Sequence, residues 1–224
     1  MKIAISGASG KTGYRIAEEA IKENHEVRLL VRKNSKLPES LNKCKKYIID
    51  LNKDNTFEKP LKDINCLIIA TGARPSIDLT GPARIDAFGV KTQVDCCKKN
   101  NVKRIILVSS LCAGRFIHPL NLFGLILYWK RIGEKSLENS GLDWTVIRPG
   151  GLTEEENNLK NQNILYTSAD MQEDASIPRR LVAKTCIEAL KTVESIGKII
   201  EVTSGSEVKA NNMKKAIGGF ILSK

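Results

Sequence analysis

The sequence predicts an α/β fold, a doubly wound parallel sheet in a single domain. A glycine-spaced turn joins the first apolar run to an amphipathic stretch, and further short apolar runs alternate with helical patterns as far as residue 203. With 224 residues, 42% of them hydrophobic, the chain can bury one substantial core.

The opening run, Lys2-Ile-Ala-Ile-Ser-Gly-Ala-Ser-Gly-Lys-Thr-Gly13, reads as a strand, a tight turn and the start of a helix near Lys11. Gly7, Gly10 and Gly13 let the backbone bend and let phosphates approach; Ser9, Lys11 and Thr12 complete the candidate phosphate-binding turn. The unpaired N–H groups of the helix start, with their partial positive charge, suit a dinucleotide pyrophosphate. A nucleoside-triphosphate loop is excluded by spacing, since Ile5 stands where that motif needs its first glycine.

The helix carries Ile16, Ala17, Ala20 and Ile21 on one face, with Arg15, Glu18, Glu19, Lys22 and Glu23 elsewhere. Glu26–Val31 supplies the second strand and completes a βαβ unit. An NAD site usually places a carboxylate at the end of that strand for the ribose 2′-hydroxyl, but this chain has Arg32 and Lys33. A guanidinium that forks onto a 2′-phosphate, with an ammonium nearby, predicts NADP; the alternative is two solvated basic residues.

Residues 46–50, 66–70, 104–109, 144–148 and 199–203 are short apolar runs suited to buried parallel strands. Val90, Val94 and Cys97 mark a helix between the fourth and fifth of the strands, and Leu181, Val182, Cys186, Ala189, Leu190 and Val193 mark another. Past Gly205 the pattern is weak, although Ile217 to Leu222 could form a short last element. Residues from about 150 to 224 are expected to add a small substrate or partner region to the dinucleotide-binding core.

No apolar run is long enough to cross a bilayer or serve as a signal, so the expected compartment is cytoplasmic or an organelle interior. The six cysteines show no pair at metal-ligand spacing and read as reduced, mostly buried thiols; His25 and His118 have no companions, so no metal is assigned. The net charge of +11 is spread along the chain and only 5% of residues are aromatic, which argues against nucleic acid. Peripheral contact with anionic membranes or acidic partners is compatible with that charge.

With these elements in place, the chain resembles the atypical short-chain dehydrogenase/reductases of the NmrA-like, NAD(P)-binding group over about residues 1 to 203. The resemblance is carried by Gly7-Ala-Ser-Gly-Lys-Thr-Gly13, Leu30-Val-Arg32, Asp50-Leu51, Ala70-Thr-Gly-Ala73, Leu107-Val-Ser-Ser110, Asn121-Leu-Phe-Gly124, Trp129-Lys-Arg131 and Ile147-Arg-Pro-Gly-Gly-Leu152. The middle segments are especially similar to the NADP-binding component of the chloroplast inner-envelope translocon and its small cyanobacterial and plastid relatives, so a plastid stroma is a second expected compartment. The resemblance implies that Asp50 and Leu51 flank the adenine and that Ala70, Thr71 and Gly72 line a ribose. It also implies that Pro149 and Gly150 approach the nicotinamide. All follow predicted strand ends, where open α/β sheets form their crevice; Asp50 beginning a turn and Pro149-Gly150 ending a strand are the plainer alternatives.

The same resemblance exposes a departure. The wider superfamily donates a proton from a tyrosine one helical turn before a lysine, and the register Lys130-x-x-x-Glu134-x-x-Leu137 puts Ile126 at the tyrosine position. Tyr128 is turned roughly 200° from the required face. Lys130 is expected to bind the nicotinamide ribose, the alternative being a surface lysine beside Arg131, and Ser110 matches the family's active-site hydroxyl. Ser109 is a further cofactor-side candidate that could equally cap its strand.

Loss of the phenol argues against epimerase and dehydratase chemistry and leaves hydride transfer to an acceptor that takes its proton from water. The expectation is an NADPH-dependent reductase of a small conjugated acceptor such as a flavin, quinone or tetrapyrrole. The rival is an NADP(H) redox-sensing module that binds a protein partner without turnover. Leu122, Phe123, Leu125, Leu127 and Trp129 are expected to be either core or an apolar wall beside the acceptor.

Overall fold

The computed structural model describes residues 1–73, 78–115, 117–173 and 175–220. Its centre is an eight-stranded sheet built from β1 (Lys2–Ser6), β2 (Glu26–Val31), β3 (Lys45–Ile48), β4 (Cys66–Ile69), β5 (Arg104–Val108), β6 (Asp143–Pro149), β8 (Asn163–Ser168) and β10 (Lys198–Gly205). The spatial order is β3-β2-β1-β4-β5-β6-β10-β8. All pairs are parallel except β10 with β8, which runs antiparallel at the edge. The chain reverses its direction of travel across the sheet between β1 and β4, and ligand crevices of such sheets open at that place, beyond the strand ends.

Alternation along β1 shows how the layers form. Ile3 and Ile5 join a core shared with α1 (Lys11–Lys22), α5 (Arg179–Lys191) and α6 (Met213–Phe220), while Ala4 joins the opposite one. That second core takes Val90, Val94 and Cys97 from α3 (Gly89–Lys99), Leu137 from α4 (Ile126–Glu138) and Leu61 from α2 (Glu58–Leu61). β4 and β5 are buried at every position, as expected of central parallel strands covered on both faces. A π-helical turn, Ala83–Phe88, leads into α3.

The expected doubly wound fold stands, and several details are added to it or corrected. The sheet is mixed, because β8 returns antiparallel on β10. Its residues, half-buried apart from exposed Leu165 and buried Tyr166, belong to an edge strand and lack the long apolar run of a central one. A two-stranded parallel pair, β7 (Gly151–Thr153) with β9 (Ser176–Pro178), also escapes the sequence pattern, because three-residue strands carry no periodicity. Ile21 and Val193 are exposed, 38% and 73%, whereas Arg15 and Glu19 of α1 are buried beneath α5 and its ion pairs. The last element is α6, which starts earlier than expected; Ile221 and Leu222 lie outside the described residues. All six cysteines are free thiols, five of them buried, and burial pushes Cys66 up to about 12 and Cys96 up to about 11.

Candidate functional site

The turn after β1 is shaped by its own crowding. Gly7 has φ +77°, and a Cβ there would lie 2.7 Å from the Ala70 carbonyl oxygen at the end of β4. A Cβ at Gly13 would overlap the Gly7 carbonyl oxygen, so α1 can start this close to β1 only with glycine at that place. Both glycines thus serve the chain's own packing before any phosphate is considered. Gly7 N–H donates to Leu30 O at 3.2 Å and Gly10 N–H to Gly7 O at 2.8 Å, tying the turn to the end of β2.

α1 has no side-chain cap at its N-cap Gly10 and no acidic residue in its first turn. The N–H groups of Lys11, Thr12 and Gly13 therefore have no acceptor among the described residues, the arrangement an anion fills. Gly10, Lys11 and Thr12 line a cleft of about 820 Å³. The same cleft is lined by Ala70, Thr71 and Gly72 after β4, Ser109 and Ser110 after β5, Lys130 of α4, and Pro149 and Gly150 at the end of β6. Sequence candidates scattered over 140 positions thus converge at the strand ends. A larger groove, about 1010 Å³, beside Lys53, Lys59 and Lys99 contains none of them.

The adenosine-side candidates stand apart from that lining. Arg32 and Lys33 follow β2, exposed, their side chains unpaired among the described residues; Ile49 N–H donates to Val31 O at 2.9 Å and brings Asp50 to the adjacent strand end. Asp50 does begin a turn, accepting from Asn52 N–H at 3.0 Å. Leu51 packs toward α3, where its Cδ1 would sit 3.1 Å from a Cβ at Gly89. Ser9, in the turn, is half-buried.

At the other end, side chains set the geometry. Ser109 Oγ donates to Glu134 Oε1 at 2.6 Å, and Glu134 is fully buried. Arg148 answers with Nε at 3.0 Å and Nη2 at 2.8 Å on the two Glu134 oxygens, a fork matched to a carboxylate. Arg148 also meets Asp170 at 3.0 Å and Glu201 at 3.5 Å, and Glu201 accepts the backbone N–H groups of Asp170, Met171 and Gln172. Burial alone would lower the Arg148 pKa; the bonds to Glu134 and the charges of Asp170 and Glu201 outweigh it, and the net shift is upward.

Ser109 is therefore a committed donor, whereas Ser110, half-buried beside it, keeps its hydroxyl unpaired among the described residues. Lys130 Nζ lies 2.8 Å from Asp86 Oδ1, and Asp86 Oδ2 accepts from Ala73 N–H at 3.1 Å. Lys130 is thus a tethered cation at the cleft wall, not a free surface lysine. One turn earlier Ile126 is 6% exposed and supplies no acid, and Tyr128 packs edge-on against Trp129 instead of lining the cleft.

The apolar segment divides. Leu127 is fully buried and Trp129 packs against Phe88 at 6.2 Å, while Leu122 and Phe123 are 82% and 47% exposed. No single wall forms from the five residues; Leu120 and His118 are the members of this stretch that reach the cleft. His118 Nδ1 accepts from Leu120 N–H at 3.2 Å, which leaves Nε2 to carry the proton in the neutral ring.

Sequence reasoning missed Asp86, Glu134's role, Glu201, Glu154 and Arg179. Arg148 held the one available signal, a charge inside an apolar run, since a buried guanidinium demands a carboxylate partner.

Comparison with known proteins follows the same lines. A family described as NAD(P)H-binding matches residues 7–192. Sanguinarine reductase of Eschscholzia californica is 30% identical over 92% of this chain and 90% of its own length. The TIC 62 protein of Pisum sativum, chloroplastic, is 32% identical over 89% of this chain but only 42% of its own length. A Bacillus halodurans structure named as a candidate NAD-dependent epimerase/dehydratase superposes with TM-score 0.82 at 26% identity, covering 97% of this chain and 99% of that one. Uncapped amides at a glycine-crowded helix start, a convergent cleft and a family match spanning most of the sequence agree: the chain belongs to the NAD(P)H-binding family of atypical short-chain dehydrogenase/reductases.

Proposed function

We propose that the protein is an NADPH-dependent reductase of a small conjugated acceptor. The observation that carries this reading is the open cleft of about 820 Å³ beside Ser110 and Lys130, together with Ile126 in place of a proton-donating phenol. A bound reduced nicotinamide supplies hydride. This chain holds the diphosphate at the α1 amides, presents Lys130 to the ribose and offers the Ser110 hydroxyl to the acceptor, whose proton comes from water. Arg32 and Lys33, exposed and unpaired at the end of β2, fit a 2′-phosphate and select NADPH. Without an acid of the tyrosine kind, typically worth 10² to 10⁴ in rate, epimerase and dehydratase chemistry is disfavoured. Similarity to a protein named sanguinarine reductase supports reduction of a small organic acceptor.

The test mixes purified protein with NADPH or NADH and a panel of flavins, quinones and linear tetrapyrroles while following the nicotinamide absorbance. Oxidation of NADPH above the buffer control supports the reading; none with any acceptor overturns it.

A second reading, a redox-responsive module that binds a protein partner, is favoured by one observation: exposed Leu122 and Phe123 beside the cleft rim, in a chain similar to part of TIC 62. Partner capture that changes between NADP and NADPH without turnover would favour it. The chloroplastic names among the relatives suggest a plastid stroma as the compartment, with the cytoplasm as the alternative.

A further inference from the structure

The first turn of α1 presents amides without bringing an acid of its own, yet a carboxylate stands beside it. Glu154, just after β7, receives Lys11 Nζ at 3.0 Å and Arg179 Nε at 2.9 Å on the same oxygen, Oε1. Its other oxygen lies 3.3 Å from Arg15 Nη2. Arg179 begins α5, lines the cleft, and donates from Nη1 to Thr12 Oγ1 at 3.0 Å, which fixes its guanidinium over the helix start. Its Nη2 has no acceptor among the described residues. A half-used guanidinium fork therefore stands beside uncapped amides, the combination that recognises phosphate oxygens.

We infer that Arg179 is a ligand of the cofactor's pyrophosphate, and that Glu154 is a resident counter-ion competing with the pyrophosphate for Arg179 and Lys11. Glu154 need not leave its place to yield. Arg15, whose side chain is only 6% exposed, pairs with both Glu154 and Glu156, so Glu154 keeps a cation when Oε1 releases the other two. At 47% exposure its carboxylate also has water to turn into. The hydrogen bond from Lys11, joined by that from Arg179 and only partly opposed by burial, holds the carboxyl below its usual range, so the competitor is charged at neutral pH. A phosphate oxygen at the free Nη2 of Arg179 displaces no contact, but one at Arg179 Nε or Lys11 Nζ competes with Glu154, which also neutralises part of the charge both cations offer. Cofactor affinity is tempered and release quickened.

The inference rests on NAD(P)H binding, not on the preference for NADPH or on turnover, and titration calorimetry of the full chain with NADPH and NADH separates these. Arg179→Ala is expected to weaken both cofactors by the same factor, roughly 10- to 100-fold, as for loss of charge-assisted bonds. Arg32→Ala, by contrast, alters NADPH alone if the 2′-phosphate reading holds. Glu154→Gln keeps the shape and removes the charge; it is expected to tighten both cofactors about two- to fivefold and slow their release in stopped flow, a gain that misfolding cannot produce. Adenosine 2′-monophosphate, which lacks the pyrophosphate, is expected to bind the parent and both variants alike. Unchanged NADPH and NADH affinity in Arg179→Ala, unchanged or looser binding in Glu154→Gln, or an equal change in adenosine 2′-monophosphate binding overturns it.

Discussion

The two ends of the cleft are made of different material. At the α1 end the frame is backbone: Gly7 against Ala70, Gly13 against Gly7, and amides that no N-cap side chain satisfies. At the α4 end it is side-chain charge, with Ser109, Glu134 and Arg148 linked in a buried chain and Lys130 held by Asp86. Backbone walls admit almost no substitution but bind any ligand with the right phosphates. Charged walls can be exchanged in matched sets, and so can carry the selectivity of a particular reductase.

The contrast breaks most readily at Gly13. Gly13→Ala would force a methyl into the Gly7 carbonyl, at a cost on the order of 4 kcal/mol or more; thermal melting should show a large fall and calorimetry no cofactor binding. Gly10→Ala is the control, since its Cβ would meet only Gly7 O at 3.1 Å and should leave the fold largely intact. If both melt alike, steric crowding does not distinguish them.

At the charged end, Glu134→Ala takes the forked partner from the buried Arg148, which keeps Asp170 and Glu201, and should cost about 3 kcal/mol in urea unfolding, more than Glu134→Gln. Ser109 and Ser110 sharpen the comparison further. Ser109→Ala should cost about 1.5–3 kcal/mol of stability by removing a hydrogen bond to the buried Glu134 carboxylate, whose Oε1 keeps only Arg148 Nε, whereas Ser110→Ala should leave the melting point unchanged and lower acceptor turnover about tenfold. Equal effects from the two serines would remove the distinction between strut and reacting hydroxyl.

The smallest effect lies in acid. Lys11 and Arg179 outweigh burial at Glu154; at Glu156 burial pulls upward but the bonds from Arg15 and Arg180 prevail. Both folded pKa values sit below the unfolded one, so the stabilisation is complete above the ordinary carboxylate range and is lost as pH falls through the depressed values. Replacing both with glutamine should flatten the decline in melting temperature between about pH 5 and 3.

Much of the backbone-built end was legible in the sequence, because its cause is local: Gly7, Gly10 and Gly13 within one turn can be read without knowing what lies opposite. The central strands were equally plain, buried on both faces and so continuously apolar. The antiparallel return of β8 was not, since its apolar core, Ile164-Leu-Tyr166, is only three residues long between polar ones and gives neither an alternation nor a sustained run. Asp86 and Arg179 were invisible for another reason: the residues they meet, Lys130 and Thr12, lie 44 and 167 positions away. Ile126, by contrast, was found by counting one helical turn back from Lys130.

Glu201 gathers three successive amides, those of Asp170, Met171 and Gln172, on one buried carboxylate. The segment that ends at the cleft-lining Glu173 is thereby stapled to β10, one strand in from the edge of the sheet. Hydrogen exchange at those three amides should rank with the strands instead of the surface turns. A staple of this kind holds the cleft wall at Glu173 at a fixed distance, so the width of the doorway there is altered by exchanging the Glu173 side chain and not by swinging a flap.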